Sequence, residues 1–279
     1  MTRNNEERLG VKDEGQNAPI PETTQSPLSF VSPTEFVDLP TGGRFYPEGH
    51  PLHGKDTLEI RYMTAKDEDI LTSKTLLKKG VAVDRMLQNI LVDKSINVDD
   101  LFIGDKNALI VAARVSGYGP EYKTNVTCPS CGASSEHDFD LSDISVKTSE
   151  LEEVTITDKG TFTLQLPRTK VAVECRLLTG KDERNMNAAA EKRKKHNLPE
   201  APLTQLLKTI IVSLNGETES EVIEEFIGKM PAMDSKYLRA AYEKVVPNVD
   251  MKHLYSCDSC GADTTLDIPF SVSFFWPDR

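Results

Sequence analysis

Several things are missing from this chain of 279 residues. No apolar run approaches the ~18–20 residues that a membrane-spanning helix needs, which excludes such a helix. The opening MTRNNEERLGVKDEGQN has no apolar core of a secretory signal, so the expectation is a chain that stays in the cytoplasm where it is made. Basic charge is short: 33 Lys and Arg stand against 44 Asp and Glu, a formal net charge of −11. That balance counts against a broad phosphate-binding surface and leaves room only for a small local basic face. Catalytic signatures are missing too. There is no G-x-x-x-x-G-K phosphate loop, no G-x-S-x-G elbow, no H-E-x-x-H helix and no strand-linked G-x-G-x-x-G, and the carboxylates are scattered. These absences favour a binding protein over an enzyme.

Cysteine is scarce and odd in number, with Cys128, Cys131, Cys175, Cys257 and Cys260. An odd count in a reducing compartment argues against a disulfide framework. Four of the five fall in two near-identical motifs, Cys128-Pro-Ser-Cys131-Gly132 and Cys257-Asp-Ser-Cys260-Gly261. Two intervening residues let a tight turn aim both sulfurs at one point ~2.3 Å from an ion. The glycine after the second cysteine permits positive φ, so backbone N–H groups can turn toward the thiolates. Zinc takes four ligands in a closed tetrahedron, and each motif supplies only two. The simplest solution is one Zn2+ held by Cys128, Cys131, Cys257 and Cys260, with no position left for a catalytic water. A redox C-x-x-C would open a helix, whereas both motifs run into polar strands. An iron–sulfur cluster would want tighter spacing.

Along the chain, residues 1–35 are rich in Asn, Glu, Pro, Ser and Thr and read as a flexible arm; Leu28, Phe30 and Val31 could make it a tether that folds on a partner. Order is expected from Phe36. Turns follow, pinned by Leu39, Phe45 and Tyr46, then a strand at 58–63. Thr64 followed by Asp67 resembles a capping box and predicts a helix from Ala65 to about Lys78, interrupted by Gly80. A second helix carries Val83, Met86, Leu87, Ile90 and Leu91. Asp105 is expected to cap a third, which holds Leu109 and Ile110 and ends at Gly117-Tyr-Gly-Pro120. Strands are expected at 122–127 and 137–141, flanking the first cysteine motif.

This order of elements recurs. Glu59-Ile-Arg-Tyr-Met-Thr-Ala-Lys-Asp-Glu68 aligns with Glu174-Cys-Arg-Leu-Leu-Thr-Gly-Lys-Asp-Glu183, an offset of 115 residues. Leu87–Val92 aligns with Leu207–Val212 at 120, and Val98–Leu101 with Ile223–Phe226 at 125. Asp105, Leu109 and Cys128 align with Asp234, Leu238 and Cys257 at 129. Four matches in one order, ending on a rare motif, indicate an internal duplication. The expected fold class is therefore α+β: a strand–helices–zinc-knuckle–strand unit at 36–150, a second at 151–279, and one four-cysteine zinc site joining them. Cys175 then aligns with Ile60 and reads as core.

Histidine offers weaker candidates. His50 and His53 lie in a Pro-rich loop and read as surface. His137 and His253 flank the cysteine motifs and either hydrogen-bond the thiolates or lie exposed. His196 closes the basic run Glu191-Lys-Arg-Lys-Lys-His196 at a helix end, where cations suit the dipole. Four aromatic residues crowd the C-terminus. They close a core or anchor a partner, with Phe270 and Phe274 expected inward and Phe275 and Trp276 expected as partner contacts.

The loop Phe36-Val-Asp-Leu-Pro with Phe45-Tyr-Pro and His50-Pro, the segment Tyr62-Met-Thr-Ala-Lys-Asp-Glu-Asp-Ile-Leu71, both Cys-x-x-Cys-Gly motifs and Phe274-Phe-Trp-Pro277 together resemble the baseplate hub or hub-assembly proteins of T4-like contractile-tailed bacteriophages. The resemblance covers about residues 36–279. It implies a virus protein that acts in the host cytoplasm during tail assembly, as a permanent part of the virion baseplate or as a factor that helps the hub form, with other baseplate and tail proteins as partners. The rival reading is a zinc-ribbon adaptor for nucleic acid, using the basic helix end at 192–195.

Overall fold

The computed structural model describes residues 32–147, 156–269 and 272–275. The first strands are β1 (Thr34–Asp38) and β2 (Thr57–Arg61), paired antiparallel with Phe36 opposite Glu59. Strand thus begins two residues before Phe36, where order was expected to start. Leu28, Phe30 and Val31 lie outside the described residues. Leu39, Phe45 and Tyr46, in the turns between the two strands, are all buried.

Next come α1 (Ala65–Thr72) and α2 (Lys74–Lys78), where a single helix was expected. Ser73 separates them with an extended backbone (φ −63°, ψ 109°). The physical reason is a lack of anchorage: no side chain of α2 is buried, so nothing holds it in line with α1. Gly80 then closes α2 at φ +66°. Met86, Leu87 and Ile90 of α3 (Ala82–Ile90) face the core at helical spacing, and Leu91 leaves the helix to bridge Ile60. Helix α4 (Ile103–Tyr118) leads into a hairpin of β3 (Glu121–Thr127) and β4 (Ser134–Asp140).

After this hairpin come β5 (Ser145–Lys147), β6 (Thr161–Gln165), β7 (Ala172–Arg176), α5 (Gly180–Lys195), α6 (Pro202–Ile210) and β8 (Ile211–Leu214). Then follow α7 (Ser220–Lys229), α8 (Ala232–Val245), β9 (Asn248–Asp250) and a hairpin of β10 (Lys252–Ser256) and β11 (Asp263–Asp267). Strands β6, β7 and β8 form an antiparallel sheet in that order, and β5 pairs with β9. The architecture is α+β, helices interleaved with small antiparallel sheets.

Several local arrangements occur twice. Ahead of α1, the Asp67 carboxylate accepts from the Thr64 N–H and hydroxyl, both at 2.8 Å, and from Arg61 at 2.7 and 3.0 Å. Ahead of α5, Asp182 does the same for Thr179 at 2.9 and 2.8 Å and for Arg176 at 2.7 and 2.9 Å. Burial alone would raise both carboxyls, but these bonds prevail and hold each at about 2.

Asp105 and Asp234 form the second pair, and here the expected role is corrected. Asp105 does not cap α4: the helix starts at Ile103, and the carboxylate turns away, fully buried, to a loop 64 residues upstream. There it accepts from the Thr41 N–H (3.0 Å), the Thr41 hydroxyl (2.7 Å) and the Tyr46 hydroxyl (2.7 Å). Asp234, equally buried in α8, accepts from the N–H groups of Arg168 (2.8 Å) and Thr169 (3.0 Å). Each aspartate ties a remote turn to the first turn of a helix.

Two apolar cores result, and each borrows from the other half of the chain. Phe45 belongs to the core built from β6, β7, α6, α7 and α8. Val249, Tyr255, Ile268, Phe274 and Phe275 fill the core built from β2, α3, α4 and β3. Cys175 is fully buried in the former, where burial pushes its thiol up to about 12, as befits an inert core residue.

The expectation for Phe275 is overturned. Its ring is 3% exposed and stands edge-on to Phe274 at 5.5 Å, so it serves the core and not a partner. The fully buried guanidinium of Arg114 draws it in by donating to the carbonyls of Phe274 (2.7 Å), Gly119 (2.5 Å) and Glu121 (2.7 Å). Phe270 and Trp276 lie outside the described residues. No helix among the described residues is long and apolar enough to cross a membrane.

Candidate metal centre

Each cysteine motif sits at the tip of a hairpin, and the two tips are built alike. In the first, Cys128 N–H donates to the Ala133 carbonyl (2.8 Å) and Gly132 N–H to the Cys128 carbonyl (2.9 Å). In the second, Cys257 N–H donates to Ala262 (3.0 Å) and Gly261 N–H to Cys257 (2.8 Å). Gly132 (φ +74°) and Gly261 (φ +67°) adopt the left-handed backbone that closes each turn.

The hairpins converge. All four sulfurs lie within 4.8 Å of one another, and no other cluster of His, Cys, Asp or Glu suited to a metal occurs among the described residues. Cys128 Sγ is 3.9 Å from Cys260 Sγ, and Cys131 Sγ is 3.8 Å from Cys257 Sγ. Four sulfurs at ~2.3 Å from a tetrahedral zinc stand roughly 3.8 Å apart along each edge. Bonded disulfide sulfurs would sit at ~2.05 Å. The donor set and its spacing therefore fit a divalent ion held two and two. One cysteine of each pair, Cys128 and Cys257, is buried, while Cys131 and Cys260 face solvent.

Backbone dipoles prepare the site for negative charge. The N–H groups of Cys131 and Ser130 lower the Cys128 thiol, and those of Cys260 and Ser259 bring Cys257 down to about 6. An N–H from Ala262 also favours the Cys260 thiolate, but the other sulfurs outweigh it and push Cys260 up to about 12. Charge on the neighbouring sulfurs thus opposes a thiolate at Cys260. A dication removes the conflict, because a coordinating thiol is deprotonated outright.

A brace that the sequence did not reveal holds the hairpins together. The hydroxyls of Ser135 on β4 and Tyr255 on β10 meet at 2.8 Å. Its only trace in sequence is a tyrosine two residues before Cys257, where the first motif has Val126. His137 and His253 face each other instead of bonding the sulfurs: their rings stand 5.4 Å apart, with His137 also edge-on to Tyr255 at 5.2 Å. The Nε2 atom of His137 is buried without a hydrogen-bond partner.

His50 stacks on Tyr46 at 4.5 Å and accepts from Leu52 N–H, while His53 Nδ1 lies 2.6 Å from the Tyr46 carbonyl. The basic run 192–195 forms the exposed end of α5, and the His196 N–H caps it on the Lys192 and Arg193 carbonyls.

Among known proteins, the family model described as "T4 bacteriophage base plate protein" matches residues 34–276. No curated protein and no solved structure matches the chain.

Proposed function

The chain belongs to the T4 bacteriophage base plate protein family, and we propose that it serves the baseplate hub as a non-enzymatic structural or assembly protein whose two duplicated halves are clasped by one zinc ion. One observation carries this reading: two cysteines from each of two matching hairpins bring their sulfurs within 4.8 Å of one another. The twofold recurrence of the Arg–Asp–Thr helix start and of the buried helix aspartate supports the duplication.

In this reading Cys128, Cys131, Cys257 and Cys260 hold the Zn2+, which supplies fold stability and no reaction step, because four sulfurs leave it no open position. The units would be 36–150 and 151–279, each depending on the other through the shared ion and the exchanged core residues. The partners would be other baseplate and tail proteins, met in the host cytoplasm and retained in the virion if the chain is a permanent part. Trp276 remains the proposed aromatic contact.

Quantitative mass spectrometry of purified tails and particles tests the role. A fixed stoichiometry in finished particles makes the chain a structural part. Presence in hub precursors and loss on completion makes it an assembly factor. Absence from both overturns the reading. DNA or RNA binding at low salt that maps to Lys192–Lys195 would replace it with the nucleic-acid adaptor.

A further inference from the structure

The equivalent strands of the two halves differ in one row of side chains. In the second half Glu174 lies between Thr163 on β6 and Ser213 on β8. Its carboxylate is satisfied within the chain by the hydroxyls of Thr161 (2.6 Å) and Ser213 (2.7 Å). That row is closed and polar.

The matching row of the first half runs from Phe36 on β1, through Glu59 on β2, to Val92, whose N–H donates to the Glu59 carbonyl at 3.2 Å. Paired residues share a face of a sheet, so these three side chains stand together. Phe36 is 70% exposed and Val92 43%, and the Glu59 carboxylate has no hydrogen-bond or ion-pair partner among the described residues. Asp38, two residues beyond Phe36 on the same face, is exposed and likewise unpaired. Arg61, two residues beyond Glu59 on the same face, is committed to Asp67 and the Tyr62 carbonyl.

The backbone beside this row is open as well. Leu39 N–H donates to the Asp56 carbonyl and Tyr62 N–H to the Pro33 carbonyl, which sets the alternation of the ladder. Glu35 and Val37 therefore bond toward β2, and the N–H and C=O groups of Thr34, Phe36 and Asp38 point to the other side. Among the described residues no strand pairs with that side; β1 is paired with β2 alone. A free edge that carries an exposed aromatic residue is what strand addition uses.

We infer that the outer edge of β1 is a docking site for an extended segment of a partner protein, paired along Thr34–Asp38, with an apolar side chain against Phe36 and lysine or arginine beside Asp38 and Glu59. The unpaired carboxylates favour a basic segment over a second copy of this acidic chain, whose own β1 would bring Glu35 and Asp38 to the junction. The surface lies outside the metal centre. It rests on the assembly reading only in requiring a partner.

A synthetic peptide of alternating lysine and valine, seven residues long, is a defined probe for the intact zinc-loaded protein. Titration followed by amide NMR should shift Thr34, Phe36 and Asp38. Binding should be at least tenfold tighter than for the glutamate–valine counterpart. It should fall at least tenfold in Phe36→Ser, in Glu59→Gln combined with Asp38→Asn, and for a peptide N-methylated along one edge. Thr163→Val, at the matching place in the second half, should leave it unchanged. Phe36 is exposed, so its replacement keeps the fold, and an unaltered melting curve checks this. No shift on β1, equal binding of the acidic peptide or indifference to Phe36→Ser would overturn the proposal. So would a peptide-free dimer that Phe36→Ser abolishes, because the occupant would then be a second copy. Each of these failures leaves zinc content and particle composition, which test the assembly reading, untouched.

Discussion

Replacing the two buried helix aspartates by asparagine should have unequal effects, although both side chains are fully buried and both tie a remote turn to a helix start. Asp105 faces two hydroxyls and one N–H; Asp234 faces two backbone N–H groups. A hydroxyl can rotate to accept, whereas an amide N–H can only donate. In Asp105→Asn the Oδ1 atom can keep the Thr41 N–H while the new NH2 donates to the Thr41 and Tyr46 oxygens, so the loss should be about 1 kcal/mol. Asp105→Ala strands all three donors in the interior and should cost about 3–9 kcal/mol, taking roughly 1–3 for each buried group left unmet. In Asp234→Asn the NH2 is forced against a backbone N–H that can only donate, with the Thr169 side chain as the one group there able to relieve it, so this variant should show the larger fall in urea midpoint at neutral pH.

Protonation sharpens the contrast. Burial outweighs the hydrogen bonds at Asp105 and raises its carboxyl, while at Asp234 the N–H groups outweigh burial and lower it. The contribution of Asp105 is thus full below the ordinary carboxylate value and is lost as pH rises through the raised one. That of Asp234 is full above the ordinary value and is lost as pH falls through the depressed one. The cost of Asp105→Asn should shrink with rising pH, and the cost of Asp234→Asn with falling pH. Urea unfolding from about pH 2 to 8 measures both, the Asp234 change falling below the ordinary value of 3.8 and the Asp105 change above it. Parallel drift of the two variants, or a larger loss in Asp105→Asn at neutral pH, would refute this account of the anchors.

Three further outcomes are expected. Gly160→Ala should destabilise by about 1–3 kcal/mol in thermal melts, as overpacking does, because its positive φ resists a side chain and the added methyl would collide with the Phe45 carbonyl where the halves meet. Acid should remove the Arg61–Asp67 and Arg176–Asp182 anchors: with folded carboxyls at about 2, their support is present above the ordinary value of 3.8 and is lost as pH falls toward 2. Each is worth about 1–2 kcal/mol, discounted for its partly exposed arginine, and Asp67→Asn with Asp182→Asn should flatten the acid limb of the stability curve. Cys131→Ser should lower the melting of both cores together, because a closed zinc site contributes folding free energy, and separate melting of one core alone would contradict the shared clasp.

Local patterns were legible in the sequence and distant partners were not. The Thr64 helix start, both cysteine turns and their flanking strands follow from residue types a few positions apart. The role of Asp105 did not, because its partners Thr41 and Tyr46 lie some sixty residues away and nothing local to Asp105 names them. Proximity suggested a cap on its own helix. Phe275 failed for the same reason: its inward course depends on Arg114, 160 residues before Phe274, whose burial among carbonyls gives no sign in the helix pattern. The break at Ser73 was hidden because propensity favours helix through Lys78, and only the missing contacts of α2 end it.

The central claim is that a single ion joins the halves, and native mass spectrometry of the purified chain tests it most directly. It should show one zinc per chain, and serine replacement of either pair, Cys128 with Cys131 or Cys257 with Cys260, should remove the metal entirely. A full complement of zinc in either double variant, two ions per chain, or a metal-free protein with unchanged melting would contradict it.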